Sequence, residues 1–287
     1  MTNKKITLGL IQSFVTKDII NNFQKTTKKI EEAANKGAQI ICLQELFKTI
    51  YFPQDKDRDV SKFAESIQDK STGILSNLAA NLNIVIIAPL CEKASKGKFL
   101  NSAVVIDADG KILGKYRKNH IPHDPFFYEK NYFNEGKSGY PVFHTKFAAI
   151  SVLICYDQWF PEPARICTLQ GAEILFYPAA IGWIKDHHPP EGDWHKAWEL
   201  IQRSHAIANS VHVASVNRVG KEKKIDFWGG SFVCDSFGNV LKKASSNNEE
   251  ILIVKVDLSM NKKIQDDWGF LKNRRPDSYK LICKRYL

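Results

Sequence analysis

Residues 148–165 read AAISVLICYDQWFPEPAR, an apolar run that breaks into a polar turn and then into a helix begun by proline. Cys155 sits at that break. A thiol at the carboxyl end of a buried strand, with a helix just beyond, is where an α/β enzyme presents a nucleophile. The helix N-terminus and nearby backbone N–H groups are expected to favour a thiolate and a developing oxyanion. Most cysteines are small buried hydrophobes, and one motif alone leaves that reading open. The rest of the chain has to decide.

Strand and helix patterns alternate outward from this segment. Upstream lie a strand at 6–14 and a helix from Asp18 to Lys36, with Ile19, Phe23, Ile30 and Ala33 at helical spacing before Gly37. Buried strands at 38–45 and 83–90 follow, with Ser71 and Thr72 expected to cap the helix between them. Residues 101–118 form a hairpin turning at Asp109-Gly110. Downstream come a helix at 161–171, a strand at 172–180, a helix from Trp194 to Ala208 and a strand at 211–220. A hairpin at 229–244 and a strand at 250–258 complete the series. No linker divides it, so residues 1–287 read as one α/β domain of mixed sheets covered by helices. The tail 268–287 has no place in a sheet and is a candidate for a subunit interface, or for a frayed end.

Composition narrows the function. The 287 residues are 44% hydrophobic and 25% charged, which is that of a globular protein able to bury a sizeable core. The N-terminus reads as a strand, not a signal peptide, and no apolar run approaches the roughly 18 residues of a membrane span. Six cysteines form no CxxC pair, so a reduced, cytoplasmic protein is expected. The net charge of +10 raises a nucleic-acid reading, but the lysines are scattered at element ends, which suits a solvated basic surface. His120, His123, His187 and His188 form neither HExxH nor a cysteine–histidine zinc pattern, so no metal site is expected.

Two further reactive groups stand at strand ends: Glu45 after the 38–45 strand, and Lys118 just past the hairpin. Sites of α/β folds gather there. The strings LQELF (43–47), KYRKNHIP (115–122) with YEKNYFNEG (128–136), and ICYDQWFPEPAR (154–165) resemble the three signature segments of the nitrilase superfamily of carbon–nitrogen hydrolases. The likeness continues through 169–182, the ASVNRVG strand at 214–220, GGSF at 229–232 and RRPDSYK at 274–280. Within the superfamily, the CxDQWFPE, NRxGKE and RRPD elements most resemble those of the N-carbamoylputrescine amidases.

That resemblance implies a four-layer α-β-β-α sandwich and a Glu45–Lys118–Cys155 triad. Glu45 would act as general base, Lys118 as the cation favouring thiolate and oxyanion, and the Tyr156 backbone N–H as a second oxyanion donor. Glu129 matches the superfamily's additional glutamate, with a surface pairing to Lys130 as its alternative. No metal or organic cofactor is implied, and the expected assembly is a homo-oligomer built from dimers. The implied reaction cleaves the ureido C–N bond of N-carbamoylputrescine through a carbamoyl-cysteine, giving putrescine, carbon dioxide and ammonia.

Relatives acting on N-carbamoyl amino acids place arginines shortly after the cysteine, whereas here none occurs before Arg165. A cationic carbamoyl amine is therefore the expected substrate, with Tyr51, Trp159 and Trp183 as aromatic faces and Asp186, Glu191 or Asp193 as ammonium partners. Trp183 departs from the small residue usual in the family, which bears on amine length, and residues 225–228 are a further candidate for the pocket. An amidase for carbamoyl amino acids or ω-amides, and an inactive scaffold of the same fold, remain the alternatives.

Overall fold

The computed structural model describes residues 4–94 and 99–285, so the last two residues of the expected tail lie outside it. Strands buried along most of their length assemble two six-stranded mixed sheets. The first runs in the order Glu250–Asp257, Lys5–Gln12, Ile40–Leu43, Val85–Lys93, Phe99–Ile106, Ile112–Arg117. The Lys5–Gln12, Ile40–Leu43 and Val85–Lys93 strands are mutually parallel, and the outer neighbours are antiparallel. The second runs Val240–Lys243, Phe232–Cys234, His212–Val216, Ile174–Pro178, Ala149–Val152, Phe143–His144, again parallel in the middle.

The period-2 alternation of the first sheet sends two apolar sets in opposite directions. Leu8, Leu10, Ile40, Cys42, Val85 and Ile87 pack with Ile150, Val152, Ile174 and Phe176 of the second sheet. Ile11, Ile41, Leu43 and Ile86 pack instead under Ile30 and Ala33 of α1 (Ile19–Asn35) and Leu75 and Ala79 of α2 (Lys70–Leu82). Across the molecule, Ala164 and Cys167 of α3 (Pro161–Leu169) and Trp198 and Ala206 of α4 (Trp194–Asn209) cover the second sheet. The result is the expected helix–sheet–sheet–helix layering, nitrilase-like in its mixed sheets.

Local rules explain most boundaries. Asp18 caps α1 by accepting from the Asn21 N–H at 3.0 Å, and Pro161 opens α3 where its missing N–H costs nothing. The α2 cap differs from expectation: Asp69 is the N-cap, and Ser71 and Thr72 lie inside the first turn. The Asp69 carboxylate turns back to the Ser66 N–H instead, and Ser71 Oγ accepts from Lys48 Nζ. The 211–220 stretch is likewise not one strand. It breaks at Asn217-Arg218, and Val219–Glu222 joins Ile225–Trp228 and Gly182–Ile184 in a third, three-stranded sheet.

Between the last strand and the tail lies α5 (Ser259–Trp268), closed by Gly269 at φ 65°, and the tail itself carries a 3₁₀ segment, Pro276–Cys283, whose residues are all exposed. Among the described residues no helix is long and apolar enough to cross a membrane.

Gly136 ties the fold to the site. Its N–H donates to the Lys118 carbonyl at 2.8 Å, and a Cβ there would stand 2.1 Å from the Arg117 carbonyl oxygen. That contact is backbone on backbone and cannot be relieved by a rotamer. Gly136→Ala is expected to lower unfolding free energy by about 1–3 kcal/mol in urea titration. Activity should fall further than the folded fraction does, because the displaced strand end carries Lys118.

Candidate active site

Four chain segments converge beyond the carboxyl ends of the strands. Glu45 follows Ile40–Leu43, Lys118 follows Ile112–Arg117, Glu129 opens a 3₁₀ turn, and Cys155 opens another, Cys155–Trp159, just past Ala149–Val152. Glu45, Lys118 and Glu129 are fully buried, and Cys155 is 6% exposed. The structure therefore brings the four together, and Glu129 is no surface partner of Lys130.

Lys118 Nζ lies 2.9 Å from Glu45 Oε1 and 2.9 and 2.8 Å from the two Glu129 oxygens. Burial alone would lower the lysine pKa, but the Glu129 and Glu45 carboxylates overcome it and hold the ammonium well above its ordinary range. Burial pushes the Glu129 carboxyl up, against the opposing pull of Lys118. Asn101, absent from the sequence-based site, donates to Glu45 Oε1 at 2.6 Å and to Glu129 Oε2 at 3.5 Å. With Oε1 so occupied, Glu45 Oε2 has no hydrogen-bond partner among the described residues. It is the oxygen left to take a proton.

The thiol departs from expectation. Burial first, then the Glu45 charge, push the Cys155 pKa well above its ordinary value, and Lys118 only partly opposes them. Cys155 therefore rests as a neutral thiol rather than a preformed thiolate. The Ala180 backbone N–H opposes the rise only weakly. Cys155 has φ 46°, a left-handed conformation that costs a non-glycine residue about 1–3 kcal/mol.

Asp157 holds that turn. Its carboxylate accepts from the Ile154 N–H at 2.9 Å and the Tyr116 hydroxyl at 2.7 Å, and from the His120 N–H at 3.1 Å, with His120 Nδ1 at 2.7 Å. One buried aspartate thus joins the cysteine turn to the segment carrying Lys118. Sequence reading weighed Asp157 only for not being arginine. Its position two residues after Cys155 was the available signal, as was Asn101's place in an otherwise apolar buried strand.

Cys155 opens onto a cavity of about 790 Å³. Of the residues singled out in the sequence, Trp159, Asp186 and Glu191 line it, together with Tyr156, Phe126 and Trp194. Tyr156 occupies the first turn of its 3₁₀ segment, where leading N–H groups have no intrahelical acceptor. Two of the expected aromatic faces lie elsewhere. Tyr51 is buried behind the site, its hydroxyl donating to Glu129 Oε1 at 2.7 Å, so it cannot face a substrate ammonium. Trp183 lies outside the lining: strand alternation presents Gly182 and Ile184 to the cavity, and Trp183 stacks between Trp194 and Trp228. Its bulk therefore does not shorten the pocket. Asp193 is spent as the α4 cap, accepting from the Lys196 N–H at 2.9 Å. Residues 225–228 back the wall by pairing with Gly182–Ile184.

Known proteins share this arrangement of chain. The N-carbamoylputrescine amidase of Arabidopsis thaliana is 40% identical over 97% of this chain and 95% of its own length. A citrullinase of Francisella tularensis is 36% identical over 100% of both. The crystal structure of a carbon–nitrogen hydrolase from Helicobacter pylori G27 superposes with a TM-score of 0.94 at 39% identity, over 99% of this chain and 100% of that one. Residues 7–265 match the carbon–nitrogen hydrolase family model, and the chain belongs to that family.

Proposed function

We propose that the chain hydrolyses the ureido group of N-carbamoylputrescine, with Cys155 as nucleophile, Glu45 as general base and Lys118 as electrostatic stabiliser. The observation carrying this reading is the buried Lys118 clasped by two glutamates beside a neutral strand-end thiol. Glu45 Oε2 takes the thiol proton as sulfur attacks the ureido carbon, so charge separates only when bond formation consumes it. The oxyanion forms against Lys118 and the Tyr156 N–H. Glu45 returns the proton to the terminal nitrogen, ammonia leaves, and an alkylcarbamoyl thioester remains on Cys155. Water, deprotonated by Glu45, releases the alkylcarbamate, which loses carbon dioxide to give putrescine. Glu129 keeps Lys118 in place and charged throughout. No step calls for a cofactor.

The cationic end of the substrate fits the mouth. Asp124, Asp186 and Glu191 line it against a single lysine, Lys185, and Trp159 and Trp194 add aromatic faces. Asp124 was outside the sequence-based set of ammonium partners. The same Lys185, with the citrullinase likeness, favours a second reading: a ureido amino acid whose carboxylate pairs with that lysine. A cytoplasmic place in polyamine synthesis and an assembly of dimers accompany the first reading.

A panel of carbamoyl amines, citrulline, carbamoyl amino acids and ω-amides is expected to give the highest kcat/KM for N-carbamoylputrescine, with equal ammonia and putrescine release. Cys155→Ala should reduce turnover to background. Preference for citrulline or an ω-amide in the wild-type protein would overturn the substrate. Asp186→Asn should raise KM for N-carbamoylputrescine up to about fivefold, the scale of about 1 kcal/mol for an exposed ion pair, leaving kcat nearly unchanged.

The neutral thiol gives a separate test. Thiolate absorbance, taken as the difference between wild type and Cys155→Ala, should appear only as pH rises past the ordinary cysteine range. In Glu45→Gln, which removes a charge that raises the thiol pKa, it should appear at lower pH even as hydrolysis is lost. A wild-type thiolate already present at neutral pH would replace proton transfer to Glu45 by a resting ion pair.

A further inference from the structure

The Asn217-Arg218…Glu222 element has no part in the chemistry above, yet its side chains run to both halves of it. Arg218 is fully buried at the break between the His212–Val216 and Val219–Glu222 strands. One guanidinium nitrogen donates to the backbone carbonyls of Glu45 at 3.0 Å and Leu46 at 2.9 Å. Another donates to Glu222 Oε1 at 2.6 Å. The second Glu222 oxygen accepts from the Tyr51 N–H at 2.7 Å, and the Tyr51 hydroxyl reaches Glu129 at 2.7 Å. Phe227 completes the frame, with the guanidinium 5.3 Å from its ring centroid and Tyr51 edge-on against it at 5.8 Å.

We infer that Arg218 and Glu222 are positioning residues for hydrolysis: their ion pair sets the separation of the two carboxylates that hold Lys118. One arm fixes the Glu45 turn, where Leu46 is itself left-handed at φ 50° and needs outside support. The other arm fixes Glu129 through Glu222 and Tyr51. An apolar pair of the same volume would fill the space equally well. It would leave the Glu45 and Leu46 carbonyls and the Tyr51 N–H without partners, and so free to shift. Asn217 does the same for the thiol side. Its amide oxygen accepts from the Ile181 N–H at 3.1 Å, and its nitrogen donates to the Ile181 carbonyl at 3.0 Å, which fixes a residue lining the cavity beside Cys155.

The inference rests on the catalytic assignment proposed above, so it is tested on whichever panel substrate the wild-type protein turns over fastest. Failure on N-carbamoylputrescine alone then affects only the substrate. Arg218→Lys keeps the charge but cannot span Glu222 and two carbonyls at once. It is expected to lower kcat about 100-fold, the scale of an ångström misplacement, and to change KM by less than about threefold. Tyr51→Phe, which removes only the hydroxyl on Glu129, should lower kcat about tenfold by the same misplacement. The double variant should be less impaired than the product of the two losses, because both act on the geometry of one lysine. All are assayed well below each variant's own melting midpoint. Wild-type kcat in either single variant, a loss confined to KM, or a fully multiplicative double variant overturns the inference. If Arg218→Lys shows no cooperative melting transition, Glu222→Gln carries the same expectation and the same overturning outcomes.

Discussion

A fully buried ammonium between two carboxylates sets the terms for everything around it. Lys118 out of water is tolerable only with its partners at 2.8–2.9 Å, and removing either would leave an uncompensated buried charge. Burial makes a resting thiolate at Cys155 unfavourable, and the Glu45 charge adds to it against the partial opposition of Lys118. Glu45, which helps to keep Lys118 charged, thus also helps to keep the thiol neutral. In the proposed reaction the proton moves to Glu45 at the moment of attack, when the Lys118 charge turns to the new oxyanion.

Backbone strain marks the same place. Leu46, Phe126, Cys155 and Asp186 all have positive φ without being glycine, and each is at the triad or on the cavity wall. Asn83 and Ser210, also positive, are ordinary left-handed helix caps, and Lys223 lies in the turn between Val219–Glu222 and Ile225–Trp228. The site residues need side chains where turn geometry would favour glycine, and they keep that geometry through neighbours: Arg218 on the Leu46 carbonyl, Asp157 under Cys155. Strain held by buried polar groups explains why so many uncommitted-looking polar side chains lie inside.

The layered sheets were legible because short apolar runs and strand-end placement are local signals. Glu45, Lys118 and Cys155 are separated in sequence but each lies just past the carboxyl end of a strand, two in the first sheet and one in the second, and sheet-on-sheet packing brings those ends together. Three features were not legible for the same reason. The thiol's protonation depends on summed burial and a carboxylate from another strand. The three-stranded sheet pairs Gly182–Ile184 with segments about forty residues on, and no periodicity announces that pairing. Tyr51 and Trp183 were placed on the pocket by their chemistry, whereas packing turned both rings away: Tyr51 onto Glu129, Trp183 between two other tryptophans.

Charge on the two length scales then divides the work of recognition. The chain carries a net charge of +10, which repels a cation in solution, but that field is screened beyond roughly 8 Å at physiological ionic strength. At the mouth of the cavity the balance reverses, with Asp124, Asp186 and Glu191 against Lys185. A cationic ureido substrate is therefore not steered from afar, and its selection rests on contacts made after entry. Under the proposed function this favours discrimination through KM and through placement of the ureido carbon, rather than through association rate. It also reconciles a basic surface with the proposed selection of a cation, since the Lys118 charge is already spent on its two glutamates.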